Sequence, residues 1–340
     1  MRGARLLVCP PDHFRVAYEI NPWMHREVPV DPDRARLQWD ALVTTLRAAG
    51  AEVVEAPARP GLPDMVFAAN AGLVNHGRVV PSRFRHPERR GETDHWRRWF
   101  AAAGLAVHEL ADGHVHEGAG DALPAGDGFL SAYRQRSDAA AHLDLSRALG
   151  AAVRPVELAD PRYYHLDLCL CPLDERRALV VPGAFDDYGR RVVEAVVPER
   201  LVLDDDAARA FVANSVVVGT TVVMPHCPVA VGRRLEAWGF EVAVVEVGEF
   251  EKAGGACRCL TLDLGVAVGP SPGNGNGGVG GGGGNGNGNG DGGGDDDRGN
   301  DRVGDDDRGG VGGGDNDRVG VGGNDRVGVG GGGGGGDGDR

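Results

Sequence analysis

Four stretches of this chain repeat one pattern: "RAAGAEVVEAP", "AAAGLAVHEL", "RALGAAVRPVEL" and "EAWGFEVAVVEV". Each reads as the last turn of a helix, a glycine that stops it, and an apolar strand. The stop glycines Gly50, Gly104, Gly150 and Gly239 lie 54, 46 and 89 residues apart. The last interval is close to two periods, and the missing step falls at "VVEAVVPERLVLDDD", where Pro198 replaces the glycine. A helix-to-strand step every ~50 residues implies about five α/β units. A doubly wound sheet could hold five such units, but no Gly-x-Gly-x-x-Gly nucleotide turn follows a strand. A ring of units around a central axis suits the period better. In such a ring, functional residues come from equivalent ends of several units and meet on the axis.

The first helix is the clearest. Asp31 is placed to cap it and Pro32 suits its first turn. Ala35, Trp39, Leu42, Leu46 and Ala49 then recur at helical spacing up to Gly50.

Composition divides the chain at residue 270. Residues 270–340 hold 34 of the 57 glycines and six Arg against 13 Asp, half of the net charge of −14, with no Lys, Glu or aromatic residue. A segment so poor in apolar side chains cannot offset the entropy of ordering itself, so it is expected to be a disordered tail. "NDRVGVGG" occurs twice in succession, at 316–323 and 324–331. A calcium-binding β-roll would need a nine-residue period with an apolar staple, which is lacking. Residues 1–269 suffice for one domain with a sizeable core. Their acidic balance argues against a nucleic-acid groove. The opening "MRGARLLVCPPDHF" has too short an apolar run for a secretory leader, and no stretch reaches membrane length. The expected location is therefore cytoplasmic, with the six cysteines reduced. Oligomeric state is left open.

Four segments set polar residues against apolar strands in a way that a plain core does not need: "LPDMVFAANAG" (62–72), "HEGAGDAL" (116–123), "YYHLDLCLCPL" (163–173) and "KAGGACRCLTL" (252–262). They supply the carboxylates Asp64, Glu117, Asp121 and Asp167, an imidazole, His165, and a thiol. Cys257 and Cys259 are two apart, and on their own could be a metal clip, a disulfide, two core residues, or a nucleophile and a bystander. The only other close pair, Cys169 and Cys171, lies on an apolar strand, which weakens the zinc reading. If the segment is extended, both thiols face the same side.

At these residues the chain resembles the guanidine-modifying enzymes of the pentein fold. These are five-bladed α/β propellers of ββαβ units that include arginine deiminases, dimethylarginine dimethylaminohydrolases and amidinotransferases. The arginine dihydrolase branch is the most similar, through "CPPDH" (9–13), "INPWM" (20–24), "PDMVFAANAG" (63–72), "EGAGD" (117–121), "HLD" (165–167), "PGAFD" (182–186) and "AGGACRCLTL" (253–262). The resemblance covers residues 4–265 and none of the tail.

It implies a cysteine hydrolase that needs no metal or cofactor and acts on the guanidinium C–N bond of arginine or a close derivative. Cys259 is the implied nucleophile, His165 the general acid and base, and Glu117 and Asp64 the guanidinium clamps, with Asp167 sharing that work. Arg89 and Arg136 match the binders of the substrate α-carboxylate, and Asn21, in a lip over the site, would reach the substrate. The chemistry suits these residue types: a resonance-stabilised cation yields to a thiolate, whose pKa a neighbouring cation lowers, and carboxylates hold the cation by charge-assisted hydrogen bonds. Three positions depart from the commoner pattern: Asn70 where a second acid is usual, Leu168 where threonine is usual, and the extra thiol at Cys257. Asn70 also stands in the dihydrolase branch, where arginine goes to ornithine, carbon dioxide and two ammonia. The alternatives are a dimethylarginine dimethylaminohydrolase or deiminase that stops at citrulline, an amidinotransferase, and a non-catalytic pentein binding protein.

Overall fold

A computed structural model of the chain describes residues 4–270. The expectation of a disordered tail therefore falls, from residue 271 onward, outside the described residues. Among the described residues no helix is long and apolar enough to cross a membrane.

The strands, in chain order, are β1 (Arg5–Val8), β2 (Glu52–Glu55), β3 (Gly72–Asn75), β4 (Arg78–Pro81), β5 (Ala106–Val107), β6 (Ala122–Ala125), β7 (Gly128–Tyr133) and β8 (Ala152–Glu157). They continue with β9 (Leu170–Pro172), β10 (Arg177–Val180), β11 (Glu199–Val202), β12 (Val216–Val218), β13 (Thr221–Met224), β14 (Glu241–Val244) and β15 (Leu262–Asp263). They form five separate three-stranded sheets with one repeated plan. The first strand runs antiparallel to the second, and the second runs parallel to the third after a helical crossover. Four sheets take their strands in sequence. The fifth has the order β15-β1-β2, so residues 262–263 supply the first strand of the unit that opens the chain, with Leu7 opposite Leu262. The repeat read from the stop glycines is thus five ββαβ units, one of them assembled from two distant stretches.

Strand composition explains the order. The middle strands "RLLV", "RVVP", "RALV" and "TVVM" are aliphatic and buried after their first residue, as strands paired on both edges should be. The third strands "EVVE" and "EVAV" carry a glutamate at an exposed position, which guards a free edge against further pairing.

The helices follow their signals. α1 (Pro32–Ala48) starts at Asp31, whose carboxylate accepts from the backbone of Asp33 and Arg34, and buries Ala35, Trp39, Leu42 and Leu46. Gly50, Gly104, Gly150 and Gly239 all take positive φ, between +67° and +98°, which suits the residue that ends a helix. The helix before Pro198, Asp187–Val196, ends without one.

Just before the first strand of each sheet the chain makes a tight, buried turn, at 67–70, 118–121, 166–169, 211–214 and 256–260. These five turns bring polar side chains from all five units to one place.

Candidate active site

One cavity is lined from widely separated segments, among them Asn21, Asp64, Asn70, Arg89, Arg136, His165 and Cys259. Its free volume is about 10 Å³, so the protein closes tightly round it.

Asp64 follows Pro63 in a short 3₁₀ turn and is buried. Its Oδ2 lies 3.8 Å from Arg89 Nε, while Oδ1 is buried with no hydrogen-bond partner. Burial raises its pKa against the pull of Arg89. A buried carboxylate oxygen with no donor, at the wall of a cavity, is suited to a cationic or N–H-bearing ligand.

The "EGAGD" and "HLD" motifs meet through a 2.8 Å hydrogen bond between His165 Nε2 and Glu117 Oε2. That oxygen also accepts from Arg136 Nη1 at 3.0 Å, and Oε1 accepts from the Arg85 backbone at 3.1 Å. Burial alone would raise the Glu117 pKa, but Arg136 and His165 hold it well below the usual carboxylate range. Burial takes His165 down to about 4 in spite of Glu117, so its ring is neutral at pH 7 and can take a proton. The glycines permit this approach: a side chain at Gly120 would overlap Asn70 Nδ2 and crowd His165 Nδ1, and one at Gly118, with φ +68°, would run into Ser82 Oγ and two carbonyls.

Cys259 lies in the turn 256–260, three residues before β15. Its thiol donates to Asp167 Oδ2 at 3.3 Å and accepts from Asn214 Nδ2 at 3.1 Å. Burial pushes the thiol up and Asp167 adds to that. Asp167 is itself raised by burial, to about 7. The sulfur's neighbours are thus a carboxyl and an amide rather than a cation. Burial and Asp167 both favour the neutral thiol over the thiolate, and a cation placed beside the sulfur would act in the opposite sense.

Several residues sit otherwise than expected. Glu117 does not line the cavity; it stands behind His165 with both oxygens engaged, as a partner of the imidazole rather than a clamp. Asn21 lines the cavity, but its Oδ1 accepts from Trp23 and Met24 and its Nδ2 donates to the Ala253 carbonyl. It fastens the 20–24 segment to residue 253 and has little left for a ligand. Arg89 is buried. It pairs bidentately with Glu92 at 2.8 and 3.0 Å, and donates to Asn70 Oδ1 and the Asp64 carbonyl, which leaves one N–H of its five. Arg136 is buried over the Tyr164 ring and donates to Glu117 and the Ile20 carbonyl. With three N–H groups left it is the better suited of the two to hold a carboxylate. Asn70 donates to the Glu117 carbonyl at 2.9 Å and accepts from Arg89, so one N–H is left over. The extended geometry expected for the cysteines is not found: residues 256–260 form a turn, so Cys257 does not share a face with Cys259. Cys257 is buried in the core and does not line the cavity. All six cysteines are free thiols. Among the described residues no cluster of His, Cys, Asp and Glu is placed to hold a metal ion.

Glu92 and Asn214 were not singled out by the sequence reading. Glu92, with no exposed surface, is the anion that Arg89 needs. Asn214 had a visible signal: "FVAN" (211–214) repeats "FAAN" (67–70), each just before the first strand of a sheet.

A thiol and a neutral imidazole–carboxylate pair, set on five ββαβ units beside a carboxylate with a free oxygen, define a pentein of the guanidine-modifying kind. Within that superfamily the chain belongs to the family whose model is described as N,N dimethylarginine dimethylhydrolase, eukaryotic, which matches residues 18–266. It is 42% identical over 262 residues to the bifunctional arginine dihydrolase/ornithine cyclodeaminase AgrE of Nostoc sp., covering 76% of this chain and 37% of that protein. The chain thus spans little more than a third of the length of this bifunctional relative. It is 38% identical over 260 residues to the N(G),N(G)-dimethylarginine dimethylaminohydrolase of Mycobacterium tuberculosis, covering 76% and 85%. Among solved structures, the substrate-bound N-terminal domain of ArgZ, a cyanobacterial arginine dihydrolase, matches with a TM-score of 0.75 at 39% identity, over 78% of this chain and 99% of that one.

Proposed function

We propose that this protein is a cysteine hydrolase of arginine that carries the guanidine through to ornithine, carbon dioxide and ammonia. The observation that carries this reading is the meeting of Cys259, His165 and Asp64 at one narrow cavity, with Asp64 Oδ1 unpartnered. The finer architecture belongs with it: five blades of a propeller whose axis passes through the cavity, supported by the common strand order and by the five lead-in turns.

The guanidinium enters against Asp64, with Arg136 on the α-carboxylate. Its charge, beside Cys259, favours the thiolate. The thiol proton passes to neutral His165, sulfur bonds to the guanidinium carbon, and the imidazolium, steadied by Glu117, returns the proton to the departing nitrogen. His165 then takes a proton from water, hydroxide attacks the adduct carbon, and the C–S bond breaks to give the ureido product. A second attack on that carbon releases ornithine and leaves a carbamoyl thioester, which water cleaves to carbon dioxide and ammonia. An asparagine-to-serine variant of the ArgZ domain, captured covalently bound to a reaction intermediate, supports a covalent route.

Two relatives named arginine dihydrolase/ornithine cyclodeaminase, at 42% and 41% identity, together with Asn70 in place of an acid, favour the double hydrolysis. The matching family model and the 38% identical dimethylaminohydrolase favour a second reading, in which dimethylarginine gives citrulline and dimethylamine. Incubation with arginine, dimethylarginine and agmatine, scored by mass spectrometry, separates them. Ornithine from arginine is expected. Citrulline alone would assign the second reading, and no consumption of any guanidine would overturn both.

A further inference from the structure

We infer that Asn214 is the positioning residue of the nucleophile, and that its side-chain N–H sets the reactivity of the Cys259 sulfur. This rests on the reading of Cys259 as the nucleophile.

One carboxamide organises the whole turn. Asn214 Oδ1 accepts from the backbone N–H of Ala256, Arg258 and Cys259, each at 3.1 Å. Its Nδ2 donates to Cys259 Sγ and to the Asp167 carbonyl, both at 3.1 Å. Asn214 is itself fully buried, and its own carbonyl accepts from Arg258 N at 3.1 Å. On the far side, the Cys259 carbonyl accepts from Ala69 N at 3.0 Å. The thiol-bearing residue is therefore gripped at its N–H, its carbonyl and its sulfur.

The repeat gives this arrangement a counterpart. Asn70 closes the turn of its own unit, with its N–H on the Phe67 carbonyl at 3.0 Å, and its side chain reaches to Glu117 of the next unit. Asn214 closes an equivalent turn on the Phe211 carbonyl at 2.8 Å and reaches to Cys259 of the next unit. The same device holds the carboxylate partner of His165 in one place and the thiol in the other.

An N–H aimed at sulfur favours the thiolate, because a hydrogen bond to a charged acceptor is stronger than one to its neutral form. Asn214 thereby opposes burial and Asp167, the two influences that keep Cys259 protonated. A glutamine or serine could cap the turn in part, but only the asparagine geometry gives the acceptor to three amides and the donor to sulfur at once.

The test is Asn214→Asp, which keeps an oxygen for the three amides, removes the donor, and sets a second carboxyl near the sulfur. Asn214→Ser is the companion variant. The readouts are kcat and KM against pH, and the pH profile of Cys259 alkylation by iodoacetamide, followed by peptide mass spectrometry. Losing one hydrogen bond to a charged atom should lower kcat by about 10- to 100-fold, with KM changed less than threefold. The alkylation midpoint should move to higher pH in both variants. A residue that only supported the fold would lower the melting temperature and leave that midpoint where it was, and this outcome overturns the inference. So does failure of both variants to fold. Cys259→Ser, run in parallel, separates the premise: if it keeps turning over, the nucleophile is misassigned. If it is inactive while Asn214→Asp has the wild-type alkylation profile, the inference about Asn214 alone is wrong.

Discussion

Replacing Asp167 by asparagine should do two things that rarely go together: make Cys259 more reactive and the enzyme slower. Asp167 Oδ2 is the acceptor for the thiol, and its charge is one of the influences that keeps the sulfur protonated. An amide there removes the charge, so alkylation of free Cys259 at pH 7.5 should speed up, while loss of the carboxylate that anchors the Cys259 thiol should lower kcat/KM by about 10- to 100-fold, the worth of one charge-assisted hydrogen bond at ~1.5–3 kcal/mol. Stability carries the sharper signature. Burial holds the Asp167 proton up to about 7 in the folded protein, against 3.8 as reference. A raised carboxyl pKa gives stability that is complete below pH 3.8 and is lost as pH rises through 7, because the folded state binds the extra proton between those limits. At about 1.36 kcal/mol per pH unit, the wild type should lose about 3 kcal/mol between pH 4.5 and 7 that Asp167→Asn does not lose. Urea unfolding of both proteins at half-unit steps across that range measures the difference directly. Parallel stability curves would refute the reasoning, since Asp167 would then be ionised in the folded state throughout.

Other outcomes follow from the same geometry. Glu92→Gln should destabilise the protein by about 3 kcal/mol in thermal or urea unfolding, because it removes the bidentate partner of the buried Arg89 and leaves it only Asp64 at 3.8 Å. His165→Gln should abolish turnover and, since the wild-type imidazole titrates near 4 when buried, should remove from the pH dependence of stability a contribution that rises between pH 4 and 6.5 and opposes that of Asp167. Cys257→Ser should keep at least a tenth of wild-type kcat, and Cys259→Ser none; the reverse would reassign the nucleophile. Asn70→Asp should shift the product of arginine from ornithine towards citrulline, as read by mass spectrometry, since the new oxygen faces the Glu117 carbonyl and disturbs the clamp on which the ureido group must wait.

Helix ends were the most legible feature. A glycine after a helical run is a local signal, and Gly50, Gly104, Gly150 and Gly239 all adopt the backbone that such a signal implies. The order of strands within a unit was less legible, since it depends on which edges pair, and the β15-β1-β2 sheet joins residues more than 250 positions apart. The site divides in the same way. Cys259, His165 and Asp64 sit in motifs dense enough to stand out and do meet at the cavity. The partners of Glu117, Asn21 and Arg89 were not legible, because residue type reveals what a side chain can bind but not which neighbour has already engaged it. Glu92 lies in an unremarkable helical start, "GETDHW", and nothing local marks it as the partner of Arg89. Cys257 was placed by assuming an extended backbone, and the Asn214 amide instead gathers three N–H groups there into a turn.

The sheet built from β15, β1 and β2 bears on the biosynthesis of the protein. Asp64, the His165–Glu117 pair and Arg136 all emerge from the ribosome before the thiol, which comes three residues ahead of a two-residue strand that must find its partner at residues 6–7. A nascent chain halted between residues 165 and 259 carries Asp64, Arg136 and the His165–Glu117 pair and still lacks the thiol. Once the strand is paired it is also, with β5, one of the two shortest among the described residues: two residues peeling from β1 would draw the sulfur away from Asn214 and Asp167. Activity should therefore fade before the other four sheets loosen, which makes turnover an early reporter of that one seam.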